Sequence, residues 1–339
     1  MKRNAALQLI RDVARTQVGM LPRKAFLASV QLNTVCNLRC SYCFIADGSN
    51  FPTGYTEPGL PFDQMRAVLW NLSKITHRVI FTGGEPFLYR QFKDLLSECR
   101  HLQFQSVGVI TNGMFLEKER ATLRLLDSIS VSYDMARYRQ YPKELDEVCA
   151  SVARLRRDGT LVDGQLSVNY TMCEADSPED WEPVFDFLAE NGLRAYVQPE
   201  RDARGGLESW EPFNRFVAAV IARYGHDILI NPSNYLGHYS NDIAKRLCEP
   251  KARLYVDING NLAYPCESFG TSSIGSLQDP TFNFETAWQR AADKQRFPSD
   301  SCDGCAYNCV FEPAMMYTSL PSLASAVYRR LTSALRSSH

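Results

Sequence analysis

Eleven cysteines fall at positions 36, 40, 43, 99, 149, 173, 248, 266, 302, 305 and 309 of the 339-residue chain. Cys36, Cys40 and Cys43 form a C-x3-C-x2-C loop directly after an apolar, β-type run. Three thiolates in one short loop suit a single iron–sulfur cluster. A cubane has four irons, so three protein ligands leave one iron open to a small molecule. Zinc usually wants a fourth Cys or His nearby, and histidine is scarce, five in the chain. Cys248, Cys266, Cys302, Cys305 and Cys309 form a second constellation, in which four thiolates would bind zinc or an iron–sulfur cluster equally well. An odd count in tight clusters argues against a secreted disulfide framework. It reads as metal ligation in a reducing, cytoplasmic compartment.

Other residues stand where chemistry is expected. Gly83-Gly84-Glu85-Pro86 follows a second β-type run, and its glycines permit close backbone approach to a ligand. Glu85 on its own reads equally as a turn or helix-start residue. Ser130, Ser132 and Asn169 are polar residues inside β-type runs, where a buried hydroxyl or amide needs a partner. Alternation places Ser130, Ser132 and Asp134 on one face, and Cys173 on the face of Asn169 and Thr171. Cys99 and Cys149 fall in helical patterns and read as small buried hydrophobes.

These residues need a scaffold, and the pattern supplies one. Short apolar runs at 29–35, 79–82, 106–111, 129–133, 166–172 and 194–198 alternate with helical patterns at 61–72, 91–100, 118–126, 143–156 and 178–190. Six strands alternating with helices predict a parallel sheet, and two further βα units needed for a closed barrel are missing. The expected fold is α/β, a partial (β/α)6 barrel over 29–235. The cysteine loop then lies at the C-terminal end of a parallel strand, where such folds place chemistry. From about 236 the pattern changes. Residues 254–258, Asn259-Gly260 and 261–264 predict a β-hairpin within a small C-terminal α+β module over 236–315.

The loop, with Tyr42 before its last cysteine, resembles the signature of the radical S-adenosylmethionine (SAM) enzymes. Gly83-Gly84-Glu85-Pro86 resembles that family's GGEP turn. Thr111-Asn112-Gly113, Ser130 to Asp134, and Asn169 follow in the family's order. The resemblance implies a [4Fe–4S] cluster on Cys36, Cys40 and Cys43, with SAM on the open iron. It also implies SAM contacts from Tyr42, Gly83, Gly84, Glu85, Pro86, Asn112, Ser130, Ser132 and Asn169, and hydrogen abstraction by a 5′-deoxyadenosyl radical. The C-terminal module resembles a twitch or shortened SPASM domain, which implies one auxiliary [4Fe–4S] cluster. Cys248 and Cys266 are its firmer ligands, joined by two of Cys302, Cys305 and Cys309. Cys173 resembles the hydrogen-atom donor of some family epimerases, and a structural strand-end thiol is the alternative. An electron donor such as flavodoxin or ferredoxin is implied as a partner.

Composition excludes other classes. Hydrophobic residues make up 45% and charged residues 22%, and the net charge is −1. No whole-chain field attracts nucleic acid. No run of apolar residues is long enough to span a membrane, and no signal peptide is read. Residues 1–28 carry six basic residues and one acidic, with Leu7, Ile10, Ala14, Val18 and Leu21 at helical spacing. Residues 313–339 carry three arginines and no acid, and a C-terminal helix is expected over 316–339. Such helices pack on the barrel or touch an anionic membrane peripherally, and the first is the expectation. Only about 28 residues precede the first expected strand, too few for a leader-binding domain of winged-helix type. This favours a small-molecule substrate over a ribosomal peptide.

Overall fold

Alternation along the strands decides the architecture. In β1 (Leu27–Gln31), β2 (Arg78–Thr82), β3 (Ser106–Thr111), β4 (Ser128–Asp134), β5 (Leu166–Met172) and β6 (Ala195–Pro199), one set of alternate side chains is apolar. Ala28, Val30, Val79, Phe81, Val107, Val109, Ile129, Val131, Val168, Tyr170, Ala195 and Val197 are buried in one hydrophobic core. The opposite face carries Ser29, Gln31, Thr82, Ser130, Ser132, Asn169, Thr171 and Gln198, set there by the two-residue period. The structure, a computed structural model, describes residues 25–40, 43, 45, 56–201, 207–231, 237–240, 242–243, 248, 250–266 and 272–294.

The six strands run parallel, each paired with the next. Helices on the apolar face connect them: α1 (Phe62–Ile75), α2 (Phe92–His101), the short α3 (Arg120–Leu123), α4 (Met135–Gln140), α5 (Pro142–Arg157) and α6 (Pro178–Glu190). α7 (Glu211–Tyr224) follows β6. In α1 the buried residues Met65, Val68, Leu69, Leu72 and Ile75 recur at helical spacing and form one stripe on the sheet. α6 starts where its sequence says it should. Asp180 Oδ2 accepts from Ser177 N at 3.0 Å, closing a capping box ahead of Pro178. The sheet is open, as a partial (β/α)6 barrel requires, because β6 lies at one end of the strand order.

Two features depart from the expected outline. β1 ends at Gln31 instead of continuing to residue 35. Beyond Leu32 the backbone turns to other partners: Thr34 N donates to Glu57 O at 2.9 Å, and Asn33 O and Val35 O accept from the turn after β2. The expected hairpin is present as β7 (Arg253–Val256) and β8 (Asn261–Tyr264), with β9 (Ser272–Ser276) beyond it. β7, however, pairs in parallel with β1, so the nine strands among the described residues share one sheet, in the order β6-β5-β4-β3-β2-β1-β7-β8-β9. Asn71 of α1 reinforces the join, donating from Nδ2 to Leu277 O at 2.8 Å and Asp279 O at 2.9 Å. The last described helix is α8 (Phe284–Lys294). The expected terminal helices lie outside the described residues.

Candidate active site

The C-terminal ends of β1, β2 and β3 are stitched together through the GGEP turn. Gly84 N donates to Asn33 O at 2.9 Å and Glu85 N to Val35 O at 2.7 Å. Asn33 Nδ2 returns a bond to Glu85 O at 3.1 Å. The two glycines make this approach possible. A Cβ on Gly83 would stand 2.7 Å from Asn33 O, and one on Gly84 would stand 2.2 Å from Val35 O. The turn thus lies against the three residues that lead into Cys36. Pro86 is buried at the start of a single helical turn, and the Glu85 side chain caps that turn.

Glu85 is fully buried, and its carboxylate is taken up by the protein. Oε1 accepts from Thr111 Oγ1 at 2.8 Å and from Phe87 N at 3.2 Å, and Oε2 accepts from Asn112 N at 2.9 Å. Burial raises its pKa from 4.5 to about 7, against the pull of those donors and of Arg137. The contribution of Glu85 to stability is full below its unfolded pKa and is lost as pH rises through the folded value. A shift of that size corresponds to about 3 kcal/mol. Glu85→Gln stays neutral at every pH but turns an amide N–H toward one of the three donors. In urea unfolding of the iron-free chain, the stability deficit of Glu85→Gln relative to wild type should be larger at pH 5 than at pH 8. A deficit independent of pH would contradict this assignment.

Of the loop cysteines, Cys36 and Cys43 are half-buried and Cys40 is buried. Cys36 Sγ accepts from Leu38 N at 3.4 Å and faces Asn112 Nδ2 at 3.8 Å. Cys43 N donates to Cys40 O at 3.1 Å, folding the second half of the loop into a turn. Arg39 N donates to Tyr141 Oη at 3.0 Å and ties the loop to the start of α5. Burial pushes the Cys36 thiol up, and the nearby Glu85, Cys40 and Cys43 add to this. A bound cation would reverse that rise at Cys36. Among the described residues, no three or more Cys, His, Asp or Glu side chains are gathered so as to hold a metal ion. The thiols share a loop without being closed into a ligand triad. The donor set still fits an iron–sulfur cluster, whose binding would complete the geometry.

The polar face continues from this corner across the sheet. Ser130 pairs with Ser167 and Ser132 with Asn169, and Asn169 pairs in turn with Tyr196. Ser130, Ser132 and Asn169 are half-buried on the same face, as alternation required. Asn169 Oδ1, Asn33 Oδ1 and Gln31 Nε2 are buried without a hydrogen-bond partner. Orphaned polar atoms of this kind mark a surface completed by a ligand or ordered water. Cys173 is buried and closes the turn after β5. Its N donates to Asp176 Oδ2 at 3.0 Å, and Asp176 N donates to Cys173 O at 2.9 Å. Burial, with the nearby Asp176, Glu200 and Asp134, pushes the Cys173 thiol up, so it stays protonated. Cys248 is half-buried and Cys266 buried. Tyr42, Cys302, Cys305 and Cys309 lie outside the described residues. Cys99 is buried in the core, and Cys149 packs half-buried against it.

Several residues at this face escape a reading of the sequence alone. The Arg137 side chain is only 12% exposed, and its Nη1 donates to Ser132 O at 2.7 Å. That sets a cation beside the serine row. Tyr255 of β7 donates its hydroxyl to Gln31 Oε1, and Arg253 Nε donates to Ser29 Oγ at 3.1 Å. The only signal for the β7 pair was a polar residue at alternate positions in each run, and nothing local says that the two runs meet.

A three-cysteine loop and a glycine turn thus lie together at the C-terminal strand ends of an open α/β sheet. Residues 30–188 match the family model described as the Radical SAM superfamily. The chain thus carries a segment of Radical SAM type over those residues, which include the cysteine loop and the Gly83-Gly84-Glu85-Pro86 turn. Among solved structures it is similar to SuiB of Streptococcus suis bound to its precursor peptide SuiA. The TM-score is 0.59 at 15% identity, over 92% of this chain and 77% of that one. It is also similar to anSMEcpe with bound AdoMet, with a TM-score of 0.53 at 15% identity, over 92% of this chain and 99% of that one. At these identities the likeness shows the fold. Among the described residues no helix is long and apolar enough to cross a membrane.

Proposed function

We propose that this chain cleaves SAM reductively and removes a hydrogen atom from a polar substrate held on the inner face of the open barrel. The carrying observation is the segment leading into the cysteine loop, whose Asn33 and Val35 carbonyls accept backbone bonds from Gly84 and Glu85 at the C-terminal end of the sheet. When bound, the cluster with SAM supplies a 5′-deoxyadenosyl radical, chemistry that no side chain can perform. The chain's own part is to bind, orient and exclude water. Cys36, Cys40 and Cys43 would hold the cluster. Gly83, Gly84, Glu85 and Pro86 hold the turn beside it. Ser130, Ser132 and Asn169 offer hydroxyl and amide groups to SAM, with Tyr42 from the loop. Arg137 supplies positive charge beside the serine row for a carboxylate. Cys173, kept as a neutral thiol, has its S–H available to return a hydrogen atom.

Cys248 and Cys266, with two of Cys302, Cys305 and Cys309, would hold an auxiliary [4Fe–4S] cluster that accepts an electron from the substrate or binds it. A flavodoxin or ferredoxin would supply the first electron. The polar inner face favours a small, hydrogen-bonding molecule in a biosynthetic pathway. A peptide is the second reading, favoured by the likeness to SuiB, whose structure holds a precursor peptide. Anaerobically reconstituted protein should bind about eight irons per chain and form 5′-deoxyadenosine from SAM with dithionite. Absence of 5′-deoxyadenosine refutes the main reading. About four irons, with zinc in the second cysteine group, refutes the auxiliary cluster.

A further inference from the structure

Asn112 stands between the cysteine loop and the GGEP turn, and its backbone N–H and both ends of its side-chain amide are engaged. Its N donates to Glu85 Oε2 at 2.9 Å, and its Oδ1 accepts from Met114 N at 3.0 Å. Its Nδ2 donates to Asn37 Oδ1 at 2.8 Å and faces Cys36 Sγ at 3.8 Å. The two hydrogens of the amide are thus divided between the loop and the sulfur, and Asn112 is only 7% exposed. A residue so placed has little capacity left for a cofactor contact. It has the geometry of a donor to a metal ligand.

We propose that Asn112 hydrogen-bonds the Cys36 sulfur and raises the reduction potential of the cluster on that loop, with Glu85 as the residue that positions it. The inference rests on the cluster reading above. A cluster gains negative charge on reduction, and an N–H aimed at a ligand sulfur stabilises that charge more in the reduced state. Leu38 N already gives Cys36 one donor at 3.4 Å, and Asn112 gives it a second from a different strand end. Glu85 acts at one remove. Its buried carboxylate fixes the Asn112 backbone and, through Thr111 Oγ1, the preceding residue. The potential of the loop cluster is thereby tied to the turn that packs against residues 33–35.

The test is a potentiometric titration of the full-length reconstituted protein, followed by electron paramagnetic resonance. The loop cluster is identified as the signal that alters when SAM is added and that the Cys36→Ala variant lacks. Its potential is then measured without SAM. Asn112→Ala should shift it negative, by up to about tenfold in the reduction equilibrium, or ~59 mV for one electron. Asn112→Asp has the same shape, keeps the Met114 and Glu85 bonds, and puts a negative charge beside the sulfur, so it should shift further. Unchanged potentials in both variants at full iron content overturn the inference. So does loss of the loop cluster from the Asp variant, because the residue would then be holding the loop and not tuning it. A wild-type protein without a SAM-responsive signal refutes the cluster reading itself, a separate result.

Discussion

Replacing Cys36, Cys40 and Cys43 together by alanine should abolish SAM cleavage while about half of the reconstituted iron remains. The three thiols sit in a loop beyond the end of β1, and of the three only Cys40 belongs to the buried set. Their truncation removes one small buried side chain, a loss the fold withstands. The loop keeps its other ties, Arg39 N to Tyr141 Oη and the bonds from Gly84 and Glu85 to residues 33–35. Circular dichroism should therefore be unchanged. Iron should fall from about eight to about four per chain, and 5′-deoxyadenosine should be undetectable. Residual SAM cleavage would show that these cysteines do not hold the reacting cluster. Complete loss of iron would show that the second cysteine group binds none.

Gly84→Ala should reduce SAM cleavage roughly a hundredfold, the scale expected when a reacting group is misplaced by about an ångström. Its Cβ would land 2.2 Å from Val35 O and 2.4 Å from Thr34 O, and both atoms are backbone. Neither can rotate away as a flexible side chain would. Val35 O is also the acceptor for Glu85 N, so relieving the clash means opening that bond or moving the segment into Cys36. The cost in stability should be about 1–3 kcal/mol, as for other overpacked sites. Gly164→Ala separates stability from position. Gly164 has a φ of +73° with nothing within 4 Å of an added Cβ, far from the cysteine loop in sequence. It should lose stability through backbone strain and keep its cleavage rate. If Gly84→Ala and Gly164→Ala lose cleavage equally, the effect of the first is one of stability alone.

The barrel was legible because its two periodicities are local. Ile129, Val131 and Tyr133 alternate with Ser130 and Ser132 in seven residues, so the faces of β4 are written in the strand itself. The stripe of α1 is written in the same way. The cysteine loop was visible as a motif because its three cysteines lie within eight consecutive residues. Glu85 was less so. A carboxylate in a turn reads as exposed, and only the arrival of Thr111 and Asn112 from β3 shows that it is buried and engaged. The length of β1 was misjudged because Leu32, Thr34 and Val35 are β-type residues, while the partners of residues 33–35 come from Glu57 and the GGEP turn. Apart from the alternate polar residues in each run, nothing local signals the parallel pairing of β7 with β1. The Asn-Gly turn specifies a hairpin with β8 and says nothing about what lies along its other edge.

That pairing governs how the molecule can be assembled. β1 precedes the cysteine loop by four residues, yet one of its two neighbours in the sheet is supplied by Arg253–Val256, near the other end of the described chain. During synthesis β1 can pair with β2 once residues 78–82 have emerged, while its other side stays bare, a row of open N–H and C=O groups. It stays so until residues 253–256 leave the ribosome. Contacts so distant in sequence form slowly. The strand that leads into the cysteine loop is thus among the last parts of the sheet to gain both neighbours. A barrel cut off before β7 would keep the whole cysteine motif and lose the neighbour that covers its first strand.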